Sequence, residues 1–135
     1  GDNDYLPHNH VKNSGVDPGT HDNTTITAWW ESAATPKEKA TAAAYLHLTG
    51  AHPTAKEVAA VKTAAARTAL LRAALGSVAD RAIIPMYDWL GLGEEAHLNT
   101  PGKLGGNWAW RAAAGFESKT LAKTIAYECS VYCRV

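Results

Sequence analysis

The fold is decided by residues 82–86, which read Ala82-Ile83-Ile84-Pro85-Met86. A short, continuous apolar run of this kind is typical of a strand in a parallel sheet, because such strands are buried on both faces. Pro85 has no N–H to donate to a neighbouring strand, so we place it at the end of this one. A second, shorter strand is predicted near Gly15-Val16, after a polar N-terminal segment.

Helices are predicted between and after these strands, over residues 36–48, 55–75 and 118–133. Thr35 and Pro36 have the residue types of an N-cap and a first helical position. Thr54 and Glu57 form a capping box at the start of the longest helix. Gly76 follows that helix in the position where helices commonly end on a glycine.

The order of elements is strand, helices, strand, long loop and helix, which is a βαβα piece of an α/β fold. One or two strands cannot form a sheet that helices cover on both faces. The pattern is that expected for the last one or two βα units of a (β/α)₈ barrel, which needs roughly 250 residues as a whole. We therefore expect residues 1–135 to form a single partial domain, mostly helical with long loops, within a longer protein.

Composition excludes several classes of function. The 135 residues contain 13 Lys and Arg against 13 Asp and Glu, so there is no basic excess with which to bind nucleic acid. No stretch approaches the length of about 18 apolar residues that predicts a transmembrane helix. The N-terminus has neither the basic region nor the apolar core of a signal peptide. We expect a cytoplasmic protein that binds neither nucleic acid nor membranes.

The two cysteines, Cys129 and Cys133, lie close together near the C-terminus. On a helix their spacing would put them on one face. A zinc site needs about four ligands, and neither a histidine nor a second cysteine pair is near in the sequence. We therefore predict two free thiols in a reducing compartment.

The first polar segment, Gly19-Thr20-His21-Asp22-Asn23-Thr24-Thr25, follows the first predicted strand at its C-terminal end, where α/β barrels carry their active sites. Asp22 offers a charge or two acceptor atoms, His21 offers a hydrogen bond, and the Trp29-Trp30 pair offers a flat stacking surface. A sugar suits this mixture, because it has hydroxyls on its edge and C–H groups on its faces. The alternative is that Asp22 or Asn23 caps the helix that follows.

The second polar segment covers residues 88–111, after the other predicted strand. Its carboxylates are candidate acids or bases, with capping or solvation of a short helix as the alternative; they are Asp88, Glu94 and Glu95. The glycines here lack the third glycine and the helix-opening spacing of a phosphate loop, so no nucleotide site is expected. The segment closes on an aromatic group that we interpret as a structural plug with arginine stacked on indole: Trp108, Trp110 and Arg111.

Both polar segments resemble one known family. Residues 84–102, together with Gly106-Asn107-Trp108-Ala109-Trp110-Arg111, closely resemble the C-terminal signature of the 4-alpha-glucanotransferases. These enzymes are also called amylomaltases or disproportionating enzymes, and they form glycoside hydrolase family 77. Leu6-Pro7-His8-Asn9 and residues 19–23 match the same family in the same order. The resemblance covers essentially the whole chain.

The resemblance implies a (β/α)₈ barrel that is far longer than this chain. It implies an enzyme that cleaves an alpha-1,4-glucan, holds a covalent glucosyl-enzyme intermediate and transfers it to the 4-hydroxyl of another glucan, in glycogen or maltodextrin metabolism. Such a retaining mechanism needs a nucleophilic carboxylate and an acid/base carboxylate about 5–5.5 Å apart. Malto-oligosaccharides are the implied partners, and no metal or organic cofactor is implied.

The resemblance also assigns roles to individual residues. Asp22 matches the family's third carboxylate, which orients sugar hydroxyls and supports the oxocarbenium-like transition state. His21 matches a residue that binds a hydroxyl of the same sugar, and Asn99 matches a substrate-contacting asparagine. The family's nucleophile and acid/base lie upstream of the matched region, so the chain alone is expected to be inactive. The alternative is a non-catalytic chain that binds glucan, or a remnant.

The chain departs from the family pattern around Asp22. Thr24 stands where the family usually has a second aspartate, and Ala28 replaces a glycine before the tryptophan pair. The strand that leads into this loop is usually apolar, whereas here it contains Asp17 and Pro18. Pro18 cannot donate to a neighbouring strand, and Asp17 is costly to bury unpaired. The placement of Asp22 therefore depends on how this altered loop is held.

Overall fold

Within residues 3–134, which the computed structural model describes, the chain is mostly helical with a small sheet. The strands are β1 (Gly15–Val16) and β2 (Arg81–Ala82). The α-helices are α1 (Ile26–Ala28), α2 (Pro36–Tyr45), α3 (Ala55–Ala60), α4 (Thr63–Leu75), α5 (Met86–Leu90) and α6 (Lys119–Val131). Single turns of 3₁₀ or π helix lie at Pro7–Asn9, Trp29–Ala33 and Glu94–Ala96. None of the helices in this described range is long and apolar enough to cross a membrane.

The two strands pair in parallel, with Val16 beside Ala82. The predicted strand over residues 82–86 is wrong beyond Ala82. The Ile83 N–H still donates to the carbonyl oxygen of Val16 at 2.8 Å, but the Ile83 side chain is 62% exposed. Pro85 then becomes the N-cap of α5. The run is not buried on both faces because β1 is its sole neighbouring strand within the described residues.

A small core lies where the Trp30 side chain enters between α2 and α4. We call Trp30, Ala43 and Ala66 the core cluster. Both alanines are fully buried and Trp30 is 5% exposed. Small alanine faces let the two helices close around one large indole, and removing such a side chain typically costs about 3–5 kcal/mol. The predicted sugar-stacking role is therefore wrong for Trp30, whose indole is buried. Trp29 is half-buried and packs against the same cluster, and its stacking on a sugar stays a prediction.

Capping boxes begin α2 and α3, which confirms Thr35 as an N-cap and the predicted box of Thr54 and Glu57, and adds a box at Thr35. The Thr35 hydroxyl accepts from the Glu38 N–H at 3.2 Å, and the Glu38 carboxylate accepts from the Thr35 N–H at 2.7 Å. Thr54 and Glu57 make the same pair of bonds at 3.3 and 2.7 Å. Each box gives partners to backbone N–H groups that the first helical turn cannot satisfy.

Helix α2 ends at Tyr45 rather than at the predicted Leu48. His47 adopts a left-handed conformation with φ of +56°, which reverses the direction of the chain. The Leu48 N–H then donates to the carbonyl oxygen of Ala43, and the Leu48 side chain packs against the core cluster. The helix is therefore ended by a change in backbone direction that returns a leucine to the core.

The predicted helix over residues 55–75 is divided into α3 and α4, so that prediction is wrong at its middle. Val61 is extended, with φ of −70° and ψ of 116°, and Lys62 is the N-cap of α4. The Val61 side chain packs against the core cluster. This apolar contact offsets the helical hydrogen bonds that are lost at the break.

Helix α4 ends at Leu75 and is followed by Gly76, as predicted. Gly76 has φ of −79°, so it does not provide the left-handed turn of a C-terminal glycine. A Cβ atom at Gly76 would lie 3.1 Å from the carbonyl oxygen of Arg72 and 3.2 Å from the ring of Tyr132, so a larger residue would need these neighbours to shift slightly. The Arg134 guanidinium holds the same corner through bonds of 2.5–2.9 Å to the carbonyl oxygens of Leu75, Ser77 and Ala79.

Helix α6 begins after its N-cap Ser118, close to the predicted start. Glu128, which is 8% exposed, accepts hydrogen bonds from Arg72 of α4 at Nε (3.0 Å) and Nη2 (2.7 Å). This pair fixes α6 to α4. Cys129 and Cys133 are free thiols, as predicted, while the reducing compartment stays a prediction. Cys133 lies beyond the end of α6 with φ of +53°, so the two do not share a helical face.

Candidate active site

The loop after β1 and the segment after β2 meet beyond the C-terminal ends of the paired strands. Asn99 donates its backbone N–H to the carbonyl oxygen of His21 at 3.2 Å, and its side-chain amide donates to Asp22 Oδ1 at 2.5 Å. His21 Nε2 lies 3.3 Å from the same carboxylate oxygen. The three site residues named from the sequence are therefore brought together, although 77 positions separate Asp22 from Asn99. We call Asp22, His21 and Asn99 the polar cluster.

The polar cluster faces solvent. The side chains of His21 and Asp22 are 53% and 45% exposed. Within residues 3–134, the contacts of the Asp22 carboxylate are made through Oδ1. The other oxygen, Oδ2, is therefore available to accept a hydrogen bond from a ligand. A carboxylate, an imidazole and an amide at one exposed point can bind several hydroxyl groups together.

An indole forms one side of this site. The rings of Trp108 and His21 have centroids 5.0 Å apart, and Trp108 is 53% exposed. Trp108 has φ of +61°, which is unusual for a bulky residue, and its N–H donates to the carbonyl oxygen of Leu98 at 2.6 Å. Reasoning from the sequence missed this residue as part of the site. The available signal was its position in a loop rich in glycine and asparagine.

The predicted stacking of Arg111 on indole is replaced by bonds to the backbone. Arg111 Nη1 donates to the carbonyl oxygens of Trp108 and Trp110 at 2.9 and 2.7 Å. Trp110 instead packs edge-on against Tyr87, with centroids 5.9 Å apart. Trp110 is thus the structural member of the aromatic group, and Arg111 fixes the loop that presents Trp108.

The alternative that Asp22 or Asn23 caps the next helix is wrong. Thr25 is the N-cap of α1, and its hydroxyl accepts from the Ala28 N–H at 3.1 Å. Asn23 Oδ1 accepts from the N–H and the hydroxyl of Thr20, at 2.9 and 3.0 Å. These bonds fold the loop tightly without using the Asp22 carboxylate, which stays free for the polar cluster.

Asp88 anchors the same loop from inside the protein. It is 2% exposed, and its Oδ1 accepts from the Ile26 N–H at 2.9 Å. Burial raises the pKa of Asp88, while the bond from Ile26 and the charge of Arg67 act in the opposite direction. Asp88 was a candidate acid or base, with capping of a short helix as the alternative. The first prediction is wrong, because the side chain is inaccessible, and the capping alternative is confirmed, because Asp88 accepts from the first N–H of the short helix α1.

The two remaining candidate carboxylates are both hydrogen-bonded within the protein. Glu95 Oε1 accepts from the Gly93 N–H at 2.9 Å, which confirms the capping alternative for Glu95. Glu94 accepts from the hydroxyl of Thr24 and lies 2.9 Å from His97 Nδ1. The hydrogen bond from Thr24, and then that from His97, hold the pKa of Glu94 below its ordinary value. Glu94 therefore links the two segments rather than standing free as an acid.

Comparison with known proteins agrees with this arrangement. The sequence profile of a family described as 4-alpha-glucanotransferase matches residues 1–117. The chain belongs to the 4-alpha-glucanotransferase family. The family resemblance found in the sequence is thereby confirmed, and the matched range includes the polar cluster and ends before α6.

Similar 4-alpha-glucanotransferases occur in plants and bacteria. A chloroplastic/amyloplastic 4-alpha-glucanotransferase of Arabidopsis thaliana is 44% identical over 110 residues, which are 82% of this chain and 17% of the plant protein. The 4-alpha-glucanotransferase of Thermus thermophilus is 42% identical over 116 residues, 84% of this chain and 22% of that protein. The chain thus spans about a fifth of the length of the curated relatives it matches.

A solved member of the family has the same arrangement of elements. An amylomaltase from Streptococcus agalactiae, in complex with acarbose, superposes with a TM-score of 0.76 at 26% identity. The superposition covers 94% of this chain and 23% of the amylomaltase. The irregular segments of this 4-alpha-glucanotransferase chain therefore follow a fold that another member of the family adopts.

Proposed function

We propose that the protein to which this chain belongs transfers a segment of an alpha-1,4-glucan to the 4-hydroxyl of an acceptor glucan. The observation that carries the proposal is the convergence of Asp22, His21 and Asn99 beyond the C-terminal ends of β1 and β2, in a member of the 4-alpha-glucanotransferase family. Malto-oligosaccharides offer the hydroxyls that such groups bind. The acarbose in the similar amylomaltase supports an oligosaccharide as the ligand.

We place residues 1–135 in one partial domain that supplies the last one or two βα units of a (β/α)₈ barrel. The parallel pairing of β1 with β2 supports this placement, as does the position of the polar cluster at the C-terminal ends of the strands. The exposed Ile83 side chain beside β2 also supports it, because a barrel would provide the strands and side chains that cover it. We propose the cytoplasm as its location, with a plastid as the alternative by analogy with the plant relatives.

In the proposed retaining mechanism, a nucleophilic carboxylate attacks C1 of the donor glucosyl unit while a carboxylic acid protonates the departing glycosidic oxygen. The bond from C1 to that oxygen breaks and a glucosyl ester forms on the enzyme. The acid/base residue is now a carboxylate, and it takes the proton from the 4-hydroxyl of the acceptor. The oxygen of that hydroxyl attacks C1, and the ester bond to the enzyme breaks. We assign both residues to the part of the protein upstream of this chain.

Asp22 has a third role in this proposal. It accepts hydrogen bonds from sugar hydroxyls, and its negative charge stabilises the positive charge that develops on the ring in the transition state. His21 binds a hydroxyl of the same sugar, while Asn99 contacts the substrate and holds Asp22 Oδ1. Asp22 cannot both form the ester and protonate the leaving oxygen. The chain alone is therefore expected to be inactive.

The test is the reaction of the full-length protein with maltotriose. We expect glucose and longer maltodextrins to form together, because each transfer shortens one molecule and lengthens another. If neither product forms, the proposed activity is rejected. The intact mass of the protein from its source tests the partial domain, and we expect a mass several-fold above that of 135 residues.

A second candidate function is glucan binding without catalysis. The exposed carboxylate of Asp22 beside the rings of His21 and Trp108 favours it, because this surface is complete for binding without a second free carboxylate. An intact mass equal to that of 135 residues would favour this candidate, or a remnant, over the transferase. Calorimetry with maltoheptaose then separates the two, since a remnant gives no heat of binding at millimolar glucan.

A further inference from the structure

Thr24 joins the loop after β1 to the segment after β2. Its hydroxyl donates to Glu94 Oε2, and Glu94 Oε1 lies 2.9 Å from His97 Nδ1. Thr24 follows Asp22 by two positions, and His97 precedes Asn99 by two positions. The path from Thr24 through Glu94 to His97 therefore spans the base of the polar cluster and connects the two backbones that carry it.

The chemistry of Glu94 fixes the direction of these bonds. An ionised carboxylate only accepts hydrogen bonds, so Thr24 is the donor and His97 carries its hydrogen on Nδ1. The His97 side chain is 14% exposed, and its Nε2 is buried without a hydrogen-bond partner among residues 3–134. The bond from His97 Nδ1 to Glu94 therefore fixes the orientation of the imidazole ring. Loss of Glu94 would free both Thr24 and His97.

Two other bonds flank this link. On the C-terminal side of Thr24, the Ile26 N–H donates to Asp88. On its N-terminal side, the His21 carbonyl oxygen accepts from the Asn99 N–H. The Thr24 bond to Glu94 lies between them along the loop. The short contact of the Asn99 amide with the Asp22 carboxylate depends on the separation of the two backbones at this point.

We propose that Thr24 and Glu94 are positioning residues that set the placement of Asp22 against Asn99 in the glucan-transfer site. This inference rests on the proposed function. Neither residue needs to touch the sugar, because each acts through the backbone that carries the polar cluster. A displacement of 1 Å at a reacting centre can lower a rate about 100-fold. Displacement of Asp22 weakens stabilisation of the transition state more than binding of the substrate. The loss is therefore expected in kcat rather than in KM.

The first test removes the hydroxyl of Thr24 in the full-length protein. Thr24→Val keeps the shape of the side chain and loses the donor, and we expect kcat on maltotriose to fall about 10- to 100-fold with KM changed much less. Thr24→Ser keeps the donor and should retain nearly the wild-type kcat. Thr41→Val is the matched control, since the Thr41 hydroxyl bonds the Lys37 carbonyl oxygen within α2, away from the site.

The second test uses charge. Thr24→Asp places a carboxylate against Glu94, and their repulsion should lower kcat more than Thr24→Val does. Adding Glu94→Gln should restore most of the activity, because the glutamine amide donates to the new carboxylate while its oxygen still accepts from His97.

The outcomes are separable. If the wild-type protein transfers no glucan, the proposed function fails. If the wild type is active and Thr24→Val keeps its kcat, the positioning role is wrong. It is equally wrong if Thr24→Asp gains nothing from Glu94→Gln. Thermal unfolding checks that each variant is folded, and if Thr24→Asp does not fold, the comparison of Thr24→Val with Thr24→Ser decides.

Discussion

The carboxylate of Asp22 and the side-chain amide of Asn99 are hydrogen-bonded at 2.5 Å across 77 positions of the chain. Asp22 belongs to the loop after β1, and Asn99 to the segment after β2. Neither stretch is part of a regular element, so local structure alone does not bring them together. The contact depends on the parallel pairing of the strands and on the bonds that tie the two segments.

The proposed role of Asp22 predicts a large loss of turnover in Asp22→Asn. The change removes the negative charge and keeps the size of the side chain, so we expect kcat of the full-length protein to fall by at least about 100-fold, as for other preorganised transition-state groups. Folding should change little, because the Asp22 side chain is 45% exposed. Steady-state kinetics on maltotriose and a thermal unfolding curve measure the two effects.

The control for this variant is Asp80→Asn. Asp80 is exposed and precedes β2, so it lies at the end of the strand opposite to the polar cluster. The same chemical change there should leave kcat within about twofold, as is usual away from functional sites. Near-normal turnover in Asp22→Asn would mean that the role assigned to Asp22 is wrong.

Gly91→Ala is expected to cost more stability than Gly102→Ala, because it meets a side chain as well as backbone strain. It ends α5 with φ of +70°, and a Cβ atom there would lie 1.6 Å from Arg67 Nη1. Gly102 has φ of +79° with nothing within 4 Å of such a Cβ atom, so Gly102→Ala should cost only the backbone strain, about 1 kcal/mol. In Gly91→Ala the Arg67 guanidinium must also move, and because it is the end of a flexible side chain we expect this to add less than the strain itself.

Denaturant unfolding of the full-length protein measures both glycine variants. Adding Arg67→Ala to Gly91→Ala should recover part of the loss, because it removes the atoms that the new Cβ meets. Equal losses in Gly91→Ala and Gly102→Ala would show that the close approach of Arg67 does not constrain this turn.

The Arg72–Glu128 pair predicts an asymmetric response to mutation. Arg72→Ala leaves the Glu128 carboxylate, whose side chain is 11% exposed, without its two-bond partner, and we expect a loss of about 2 kcal/mol of unfolding free energy. Arg72→Lys should lose less, since one ammonium keeps the charge but cannot span both oxygens. Replacing both residues by Met and Leu should be milder than Arg72→Ala. An unchanged free energy of unfolding in Arg72→Ala would contradict this prediction.

The capping boxes predict a loss of stability in acid. The hydrogen bond from the Thr35 N–H, followed by that from its hydroxyl, holds the pKa of Glu38 below its ordinary value of 4.5, and Thr54 does the same for Glu57. A pKa that is lower in the folded state gives stability that is present above pH 4.5 and is lost as pH falls through the folded value. The denaturant concentration at the midpoint of unfolding should therefore decrease as the pH is lowered below 4.5.

The matched variants are Glu38→Gln and Glu57→Gln. Glutamine can still accept from the N-cap backbone but does not titrate, so the acid dependence of stability should become shallower. Exposed surface carboxylates elsewhere are unchanged in these variants and provide the baseline. An unchanged slope between pH 5 and pH 3, roughly the range in which glutamates titrate, would show that the boxes do not contribute.

The separate 135-residue chain is expected to protect its sheet poorly. The Ile83 side chain is 62% exposed, and β2 has one neighbouring strand within the described residues. Backbone amides at 82–86 should therefore exchange with solvent faster than those of α4, which packs on the core cluster. Hydrogen exchange measures both regions in one experiment. Strong protection at 82–86 would contradict the proposed partial barrel.

Much of the fold follows from local signals in the sequence. Thr35 and Thr54 open helices as their capping patterns predict, and Gly15–Val16 forms a strand. The errors arise where tertiary contacts decide. Val61 leaves the helix to pack against the core cluster, and the apolar run after Ala82 turns into α5 because it has no second neighbouring strand within the described residues.

The residues of the polar cluster were predictable from the family pattern, because the spacing of residues in the sequence does not show which side chains meet. Nothing in the sequence between Asp22 and Asn99 states that the two side chains touch. Thr24 looked like a departure that would disturb Asp22, whereas its hydroxyl binds Glu94. Trp30 was predicted to stack on sugar, but it is buried, and the indole that packs against His21 is that of Trp108. Side-chain partners across distant loops are a property of the folded chain alone.

The buried bond from Ile26 to Asp88 closes the chain on itself across 62 positions. Helices α2, α3 and α4 all lie between Ile26 and Asp88, and this hydrogen bond holds the two ends of that stretch together. The lengths of the connections between these helices therefore have no direct influence on the separation of Asp22 and Asn99. Residues inserted at the exposed positions 50–52, between α2 and α3, should therefore lengthen this connection without moving the polar cluster.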